Sequence, residues 1–428
     1  MKLWEKGLAV NDKIERFTVG DDRETDMHLA WYDVQASVAH AQMLEKVGLI
    51  DNDELKALLS GLNLLKETIE KGTFRIESEF EDVHSKIEYE LIKSLGDNGK
   101  KIHTARSRND QVLVAMHLYF KDKLETIHTK VKTLFDTLIE LGENHRDHFL
   151  PGYTHFQRAM PSSFGLWFSA YAEILIDDVY QLQAAYKIVD QNPLGSAAGY
   201  GSSFPIDRDE TTKALGFSNL KINSIAAQLS RGRSERAVAG CMSGLASTLN
   251  KFATDICTFV NQEFNFISFP DSLTTGSSIM PHKKNPDVFE LIRAKANSIK
   301  AIQHQLMMLT TNLTSGYHRD FQLLKKPIID AVEDTIDMLD IFSFAIKQIE
   351  VKQLDPKSPE FAHLFSVDSI NKLVQNGMPF RDAYLEIAQA IQDNTYQPDP
   401  DLKHTHIGSI HNLGLDRIKA KFPPILDK

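Results

Sequence analysis

Proline first occurs at position 151, and after it four proline-free stretches run over 162–192, 206–269, 287–326 and 328–355. A proline inside a helix removes a hydrogen bond and clashes with the preceding turn, so these gaps are where long helices can run. The apolar residues inside the chain are spaced to match. Leu124, Ile127, Val131, Leu134, Leu138 and Leu141 recur at three- or four-residue intervals, as do Phe164, Phe168, Tyr171, Leu175, Val179, Leu182 and Tyr186. Leu245, Leu249, Phe252, Ile256, Phe259 and Val260 form a third, less regular seam. Period-two strands are scarce. The pattern predicts an all-α chain built on a bundle of long helices whose seams form the core.

The N-terminal part reads as shorter helices. Asp51 with Glu54 forms a capping-box pattern, and Lys71-Gly72 is a stop signal. Ser78 with Glu81 predicts the next start, and Gly96-Asp97-Asn98-Gly99 its end. Seven of the fifteen prolines fall after residue 355, which marks a boundary. The expected division is an N-terminal helical domain over 1–105, a central long-helix bundle domain over 106–355 and a small C-terminal helical domain over 356–428.

Charge and cysteine usage narrow the function. There are 48 Lys and Arg against 58 Asp and Glu, a net charge of −10. That disfavours a general nucleic-acid or membrane-surface binder. Two cysteines, Cys241 and Cys257, in 428 residues do not make a disulfide framework and fit a reducing compartment. Met1–Gly7 has no apolar stretch of the kind a secretory leader needs, and no run approaches the ~18 apolar residues of a membrane span. A cytoplasmic protein without membrane or nucleic-acid partners is expected.

Four polar clusters stand at the ends of long helical stretches. Thr275-Gly276-Ser277-Ser278-Ile279-Met280-Pro281-His282-Lys283-Lys284-Asn285-Pro286 precedes a helix expected from about Asp287. Backbone N–H groups and the positive end of a helix attract anions there, and Lys283 and Asn285 add a charge and an amide. A solvated, capped loop is the alternative. Residues 103–111, with Ser107, Arg108 and Asn109, place an Arg fork at a helix start, a carboxylate-binding arrangement. The alternative there is a polar cap with surface ion pairs. Pro151-Gly152-Tyr153-Thr154-His155-Phe156-Gln157-Arg158 offers an imidazole that titrates near neutrality. Residues 316–326 carry Tyr317, Gln322 and Lys325. The glycine-rich stretch Pro193–Gly201 reads as a loop, because no strand precedes it to make a phosphate cradle. His404 and His406 lack the spacing of a metal site. Together the clusters suggest a site for a polycarboxylate, with no nucleotide or metal motif and no cofactor.

The 276–286 segment resembles the signature loop of the fumarase/aspartase superfamily. Within it, Thr104–Gln111, Gly152–Arg158, Pro286-Asp287 with Glu290-Leu291-Ile292-Arg293, and Tyr317, Gln322 and Lys325 resemble the argininosuccinate lyase family. The likeness spans roughly residues 1 to 350. It implies an elimination that splits argininosuccinate into arginine and fumarate, no cofactor, and a homotetramer whose sites are shared between chains. It implies Ser277 as base, Lys283 and Asn285 as holders of developing charge, and His155, oriented by a carboxylate such as Glu290, as the proton-handling group. It implies Ser107, Arg108, Asn109, Thr154, Asn285, Tyr317, Gln322 and Lys325 as substrate contacts, with His84 at another family-like position.

Three features depart from the family pattern. His282 stands where this family usually has glutamine and adenylosuccinate lyases often have histidine. Gly20 falls near the family's substrate-contacting serine, and Gln228–Arg236 is longer and more basic than expected. Adenylosuccinate lyase is therefore the nearest alternative. From another class, a catalytically silent structural protein on the same fold is the rival, against which Ser277, His155, Lys283 and Asn285 all stand intact.

Overall fold

The computed structural model describes residues 11–401 and 404–426. The opening Met1–Gly7, read above for the lack of an apolar run, lies outside the described residues. The chain is mostly helical, as its periodicity predicts. Among the described residues no helix is long and apolar enough to cross a membrane.

The early helices show how local signals set boundaries. Helices α1 (Asp12–Val19), α2 (Ala30–Lys46), α3 (Asn52–Glu70) and α4 (Val83–Leu95) come first. The capping box forms at α3: Asp51 Oδ1 accepts the Glu54 N–H at 2.9 Å, and Glu54 accepts the Asp51 N–H at 3.0 Å. Helix α3 stops at Lys71, followed by Gly72 in the left-handed region, φ 67°. The start expected at Ser78 with Glu81 falls instead at Asp82, whose side chain accepts the Ser85 N–H at 2.8 Å. The physical reason is Arg23. Its guanidinium takes the Phe80 and Ser78 carbonyls at 2.6 and 2.7 Å, so those carbonyls are withdrawn from any helical ladder.

Five long helices follow: α5 (Arg108–Asn144, 37 residues), α6 (Phe164–Val189, 26), α7 (Arg233–Phe259, 27), α8 (Asp287–Leu309, 23) and α9 (Lys325–Ile346, 22). The seams read from sequence are their buried stripes. Leu124 to Leu138 and all seven seam residues of α6 are buried, whereas Phe259 and Val260, the irregular end of the third seam, are half-buried. Each such Leu or Phe contributes about 1.5–3 kcal/mol of burial.

The chain folds as two compact units, and the long helices are divided between them. Of the described residues, one unit holds those up to His128 with Tyr180–Ala246 and Asn297–Ile336; the other holds Thr129–Val179, Ser247–Ala296 and those from Asp337 on. The first unit includes a core of Val34, Leu44, Leu58, Leu62, Val83, Ile87 and Leu91. The second packs an aromatic cluster. Tyr171 stacks on Phe252 with centroids 4.1 Å apart, and Phe252 meets Phe342 at 5.0 Å. Asp255 accepts the Trp167 indole N–H at 3.1 Å and the Tyr171 hydroxyl at 2.6 Å, which satisfies both polar handles of these rings.

Some strands were not expected: Gln191–Asn192, directly before the glycine-rich stretch, pairs in parallel with Asn219–Leu220, and Ile267–Ser268 pairs with Glu350–Val351. Residues read as a polar block before a helix form an antiparallel hairpin, β1 (Phe149–Thr154) with β2 (Gln157–Ser163). Pro151 pairs with Pro161, and a bulge falls between Gly152 and Tyr153. In a two-stranded ribbon each proline can turn its missing N–H outward, so the prolines that hide the strand signal do not break the ladder.

Candidate active site

In the first unit, helix α5 begins on a reciprocal cap. Asp110 accepts the Ser107 N–H at 2.9 Å, and Ser107 Oγ accepts the Asn109 N–H at 3.3 Å. The second Asp110 oxygen accepts the N–H groups of Gly195 and Ala197 at 3.0 and 2.9 Å. The glycine-rich loop thus turns its amides to a buried carboxylate of the protein. Burial pushes the Asp110 carboxyl up to about 6, against the pull of these backbone donors.

Beside this start lies a cavity of about 150 Å³, lined by Arg108, Asn109, Tyr317, Gln322 and Lys325 together with Asp22, Glu81, Asp82, Gln228, Arg231 and Arg319. Five of the substrate contacts implied by sequence therefore share one wall system. Most of its charges are already paired. Arg108 is held by Glu81 and Asp82, each at 3.1 Å, and donates to Ser85 Oγ at 2.8 Å. Lys325 is buried, with its ammonium 2.6 Å from Asp26 and 3.0 Å from Asp22. Burial alone would depress its pKa, but the two carboxylates, Asp26 foremost, outweigh it and hold the lysine above its ordinary range. Burial raises Asp22 to about 6; Lys325 pulls it down and Asp26 pushes it further up. Gln322 donates to the Thr18 and Val19 carbonyls at 2.8 and 3.0 Å, fixing the turn that ends at Gly20. His84 lies in a buried pair with Asp33 at 2.8 Å rather than on the cavity wall.

The other candidates belong to the second unit. Thr154 ends β1, and His155 and Phe156 form the hairpin tip, both with positive φ, 53° and 59°. Two successive left-handed residues make a tight turn that Asn-Gly adopts without cost, so His-Phe stores strain there and holds the imidazole out to solvent. The 275–286 segment is closed at its base by paired backbone bonds, Asn285 N–H to Thr275 O at 2.9 Å and the reverse at 3.3 Å. Thr275 also bonds Asp287 at the start of α8. Inside the loop Ser277 Oγ accepts the N–H groups of Met280 and Ile279 at 3.1 and 3.4 Å. Lys283 and Glu290 are exposed, and Glu290 is 3.8 Å from Arg293. Among the described residues of one chain, no hydrogen bond or ion pair links His155 to Ser277, Lys283, Asn285 or Glu290.

Residues 13–300 match the family described as Lyase. The chain is 49% identical over 426 residues to the argininosuccinate lyase of Phocaeicola vulgatus, covering 100% of this chain and 96% of that one. The chain belongs to the argininosuccinate lyase family. It is also 43% identical over 388 residues to the argininosuccinate lyase of Thermotoga neapolitana, covering 91% of this chain and 98% of that one. The fold is shared with an EDDS lyase solved with formate: TM-score 0.75 at 22% identity, over 96% of this chain and 84% of that one.

For an argininosuccinate lyase family member, sequence reasoning overlooked Asp22, Glu81, Asp82, Gln228, Arg231 and Arg319 on the cavity wall. Some left a trace. Arg231 and Glu235 have the i,i+4 spacing of an ion pair, and they sit 3.1 Å apart and buried. Gln228 and Arg231 lie in the block that departs from the family pattern. Nothing in the sequence distinguishes Asp22 or Arg319 from surface charges.

Proposed function

We propose that this chain eliminates fumarate from argininosuccinate and releases arginine, a carbon–nitrogen lyase step of arginine biosynthesis in the cytoplasm. The observation that carries it is the end-to-end likeness to the Phocaeicola vulgatus argininosuccinate lyase, with Ser277, Lys283 and Asn285 in the loop and the mixed-charge cavity beside α5.

The chemistry follows from the two settings. The three carboxylates of the cavity wall are paired with its cations, which leaves little uncompensated positive charge for a dianionic succinate half. Carboxylates and cations together suit the zwitterionic arginine half instead. The succinate half is the part that reacts at Ser277. A neutral hydroxyl is a poor base, and it must reach the oxyanion. The Met280 and Ile279 N–H groups already point at Ser277 Oγ and favour negative charge there. This favours Ser277 over its neighbour Ser278. Once the proton leaves the carbon next to the carboxylate, Lys283 and Asn285 hold the charge that develops. His155, with Thr154 beside it, handles the proton owed to the departing guanidinium nitrogen.

The acting unit is a homotetramer with shared sites. Two features support this reading. Among the described residues of one chain, no hydrogen bond or ion pair joins His155 to the Ser277 loop. The long helices also carry exposed apolar residues, among them Leu291, Met307, Met308, Ile341 and Phe344, which a bundle of several chains would cover. In that assembly Glu290 reaches His155 from another chain. The test is to incubate the purified protein with argininosuccinate and, separately, adenylosuccinate, and to follow fumarate absorbance. Release from argininosuccinate alone is expected. Release from adenylosuccinate alone, or from neither, overturns the reading.

A further inference from the structure

Gln228 is 2% exposed, and both ends of its amide are buried without a hydrogen-bond partner. A buried amide left unpaired costs roughly 1–3 kcal/mol and calls for an explanation. Gln228 is one of the residues that line the cavity beside α5.

The other buried groups on that wall are spoken for. Glu81 holds Arg108, and Lys325 is held by Asp26 and Asp22. Arg231 faces Glu235 and donates to the Phe321 carbonyl at 3.1 Å. Among the described residues of that wall Arg231 Nε also lacks a hydrogen-bond partner but faces the Glu235 carboxylate at 3.1 Å, whereas Gln228 leaves both a donor and an acceptor unpaired.

Its position is also built. A Cβ placed on Gly199 would lie 2.9 Å from Gln228 Cβ and 3.1 Å from Cγ, so the glycine-rich loop closes over the stem only because position 199 lacks one. Gly199 has φ 99°, a conformation other residues resist. The same loop is anchored by Asp110, two residues beyond Arg108, so helix start, loop and glutamine form one framed wall. Asp110 thereby fixes both Asn109 and the cover over Gln228.

We infer that Gln228 is a substrate-positioning residue that recognises the α-amino-acid end of the ligand, its Nε2–H donating to the carboxylate and its Oε1 accepting from the ammonium. A neutral amide suits this task. It adds one donor and one acceptor to a wall whose charges are already balanced, and it meets both signs of a zwitterion. The inference rests on the proposed placement of the arginine half in this cavity.

The test uses the full-length protein with Gln228→Met, which keeps the volume and removes both polar atoms. Replacing an unpartnered buried amide by an apolar near-isostere should leave the melting temperature unchanged or raise it. KM for argininosuccinate should rise roughly 10–100-fold, the range for lost hydrogen bonds to charged groups, with kcat changed much less. Inhibition by arginine should weaken by the same factor, and inhibition by fumarate should stay within twofold. Gln228→Glu, which loses the donor but keeps an acceptor, should weaken arginine binding as well.

Kinetics within twofold of wild type in Gln228→Met would overturn the inference. So would equal weakening of arginine and fumarate, or a fall in melting temperature alongside activity in both variants, which would mark the amide as structural. The two readings fail separately. If the wild type does not cleave argininosuccinate, the proposed reaction falls, and calorimetric titration of arginine into wild type and Gln228→Met still decides the role of the glutamine.

Discussion

The Asp110 carboxylate accepts the Gly195 N–H at 3.0 Å across 85 positions of sequence, joining the first turn of the longest helix to the glycine-rich loop. The same carboxylate holds the Ala197 and Ser107 amides. One residue thus frames Arg108, Asn109 and the loop over Gln228. Asp110→Ala leaves three backbone donors without their acceptor, and a buried donor left unpaired costs about 1–3 kcal/mol. We expect a loss of about 3 kcal/mol in urea unfolding and a rise in KM for argininosuccinate of roughly tenfold. An unfolding midpoint equal to wild type would show that water replaces the carboxylate and that the frame is not needed.

Ser277→Ala should lower kcat by roughly 10²–10⁴, the range for a lost general base, with KM nearly unchanged. Ser278→Ala should fall by less than tenfold, since the Met280 and Ile279 amides point at Ser277 Oγ. If Ser278→Ala is dead and Ser277→Ala is near wild type, the oxyanion is formed one residue later.

Much of the bundle was legible because its signals are local. The seams of Leu124–Leu138 and Phe164–Tyr186 repeat over several turns, and the box at Asp51 and Glu54 spans three positions. The cavity was legible only in part. Arg108, Asn109, Tyr317, Gln322 and Lys325 stood in recognisable blocks. Asp22 and Asp26 gain meaning only when α9 brings Lys325 to them, and Gln228 matters because its amide goes unpaired in the fold. The hairpin was hidden by its own prolines, and the start of α4 moved because Arg23, 57 positions from Phe80, claims carbonyls there. Interactions that reach across the chain override local signals without leaving a local pattern.

Asp178 offers a pH test away from the site. It is 4% exposed, and one carboxylate oxygen is buried without a partner. Burial pushes its pKa up to about 6 from 3.8, more than the bond from Thr248 offsets. A carboxyl whose folded pKa is raised favours folding fully below its unfolded value, and that preference is lost as pH rises through the folded value. Wild type should therefore lose, from this group, up to about 3 kcal/mol between pH 4 and 7. Asp178→Asn does not ionise and should not. Its stability relative to wild type should climb across that window in urea unfolding at fixed protein concentration. A difference that is flat from pH 4 to 7 would mean the carboxyl is not held protonated by its surroundings.

The shared-site proposal makes a prediction that a single-chain site cannot meet. His155 sits on a strained hairpin tip and Ser277 in a closed loop, and among the described residues of one chain no hydrogen bond or ion pair joins them. If each site takes the two residues from different chains, a Ser277→Ala chain still carries a good His155 and a His155→Ala chain a good Ser277. Each variant alone should be inactive, because all of its sites lack the same group. Co-refolding equal amounts should restore about one site in four if the chains mix freely. The assay is fumarate release from the mixture, with light scattering to show that the variants assemble as tetramers. A distinguishable tag on each variant shows that mixed tetramers form. Recovered activity of about a quarter of wild type supports sharing. No recovery in a verified mixed tetramer means both residues serve the site from one chain, and then the two segments must come together by a movement of the hairpin or the loop.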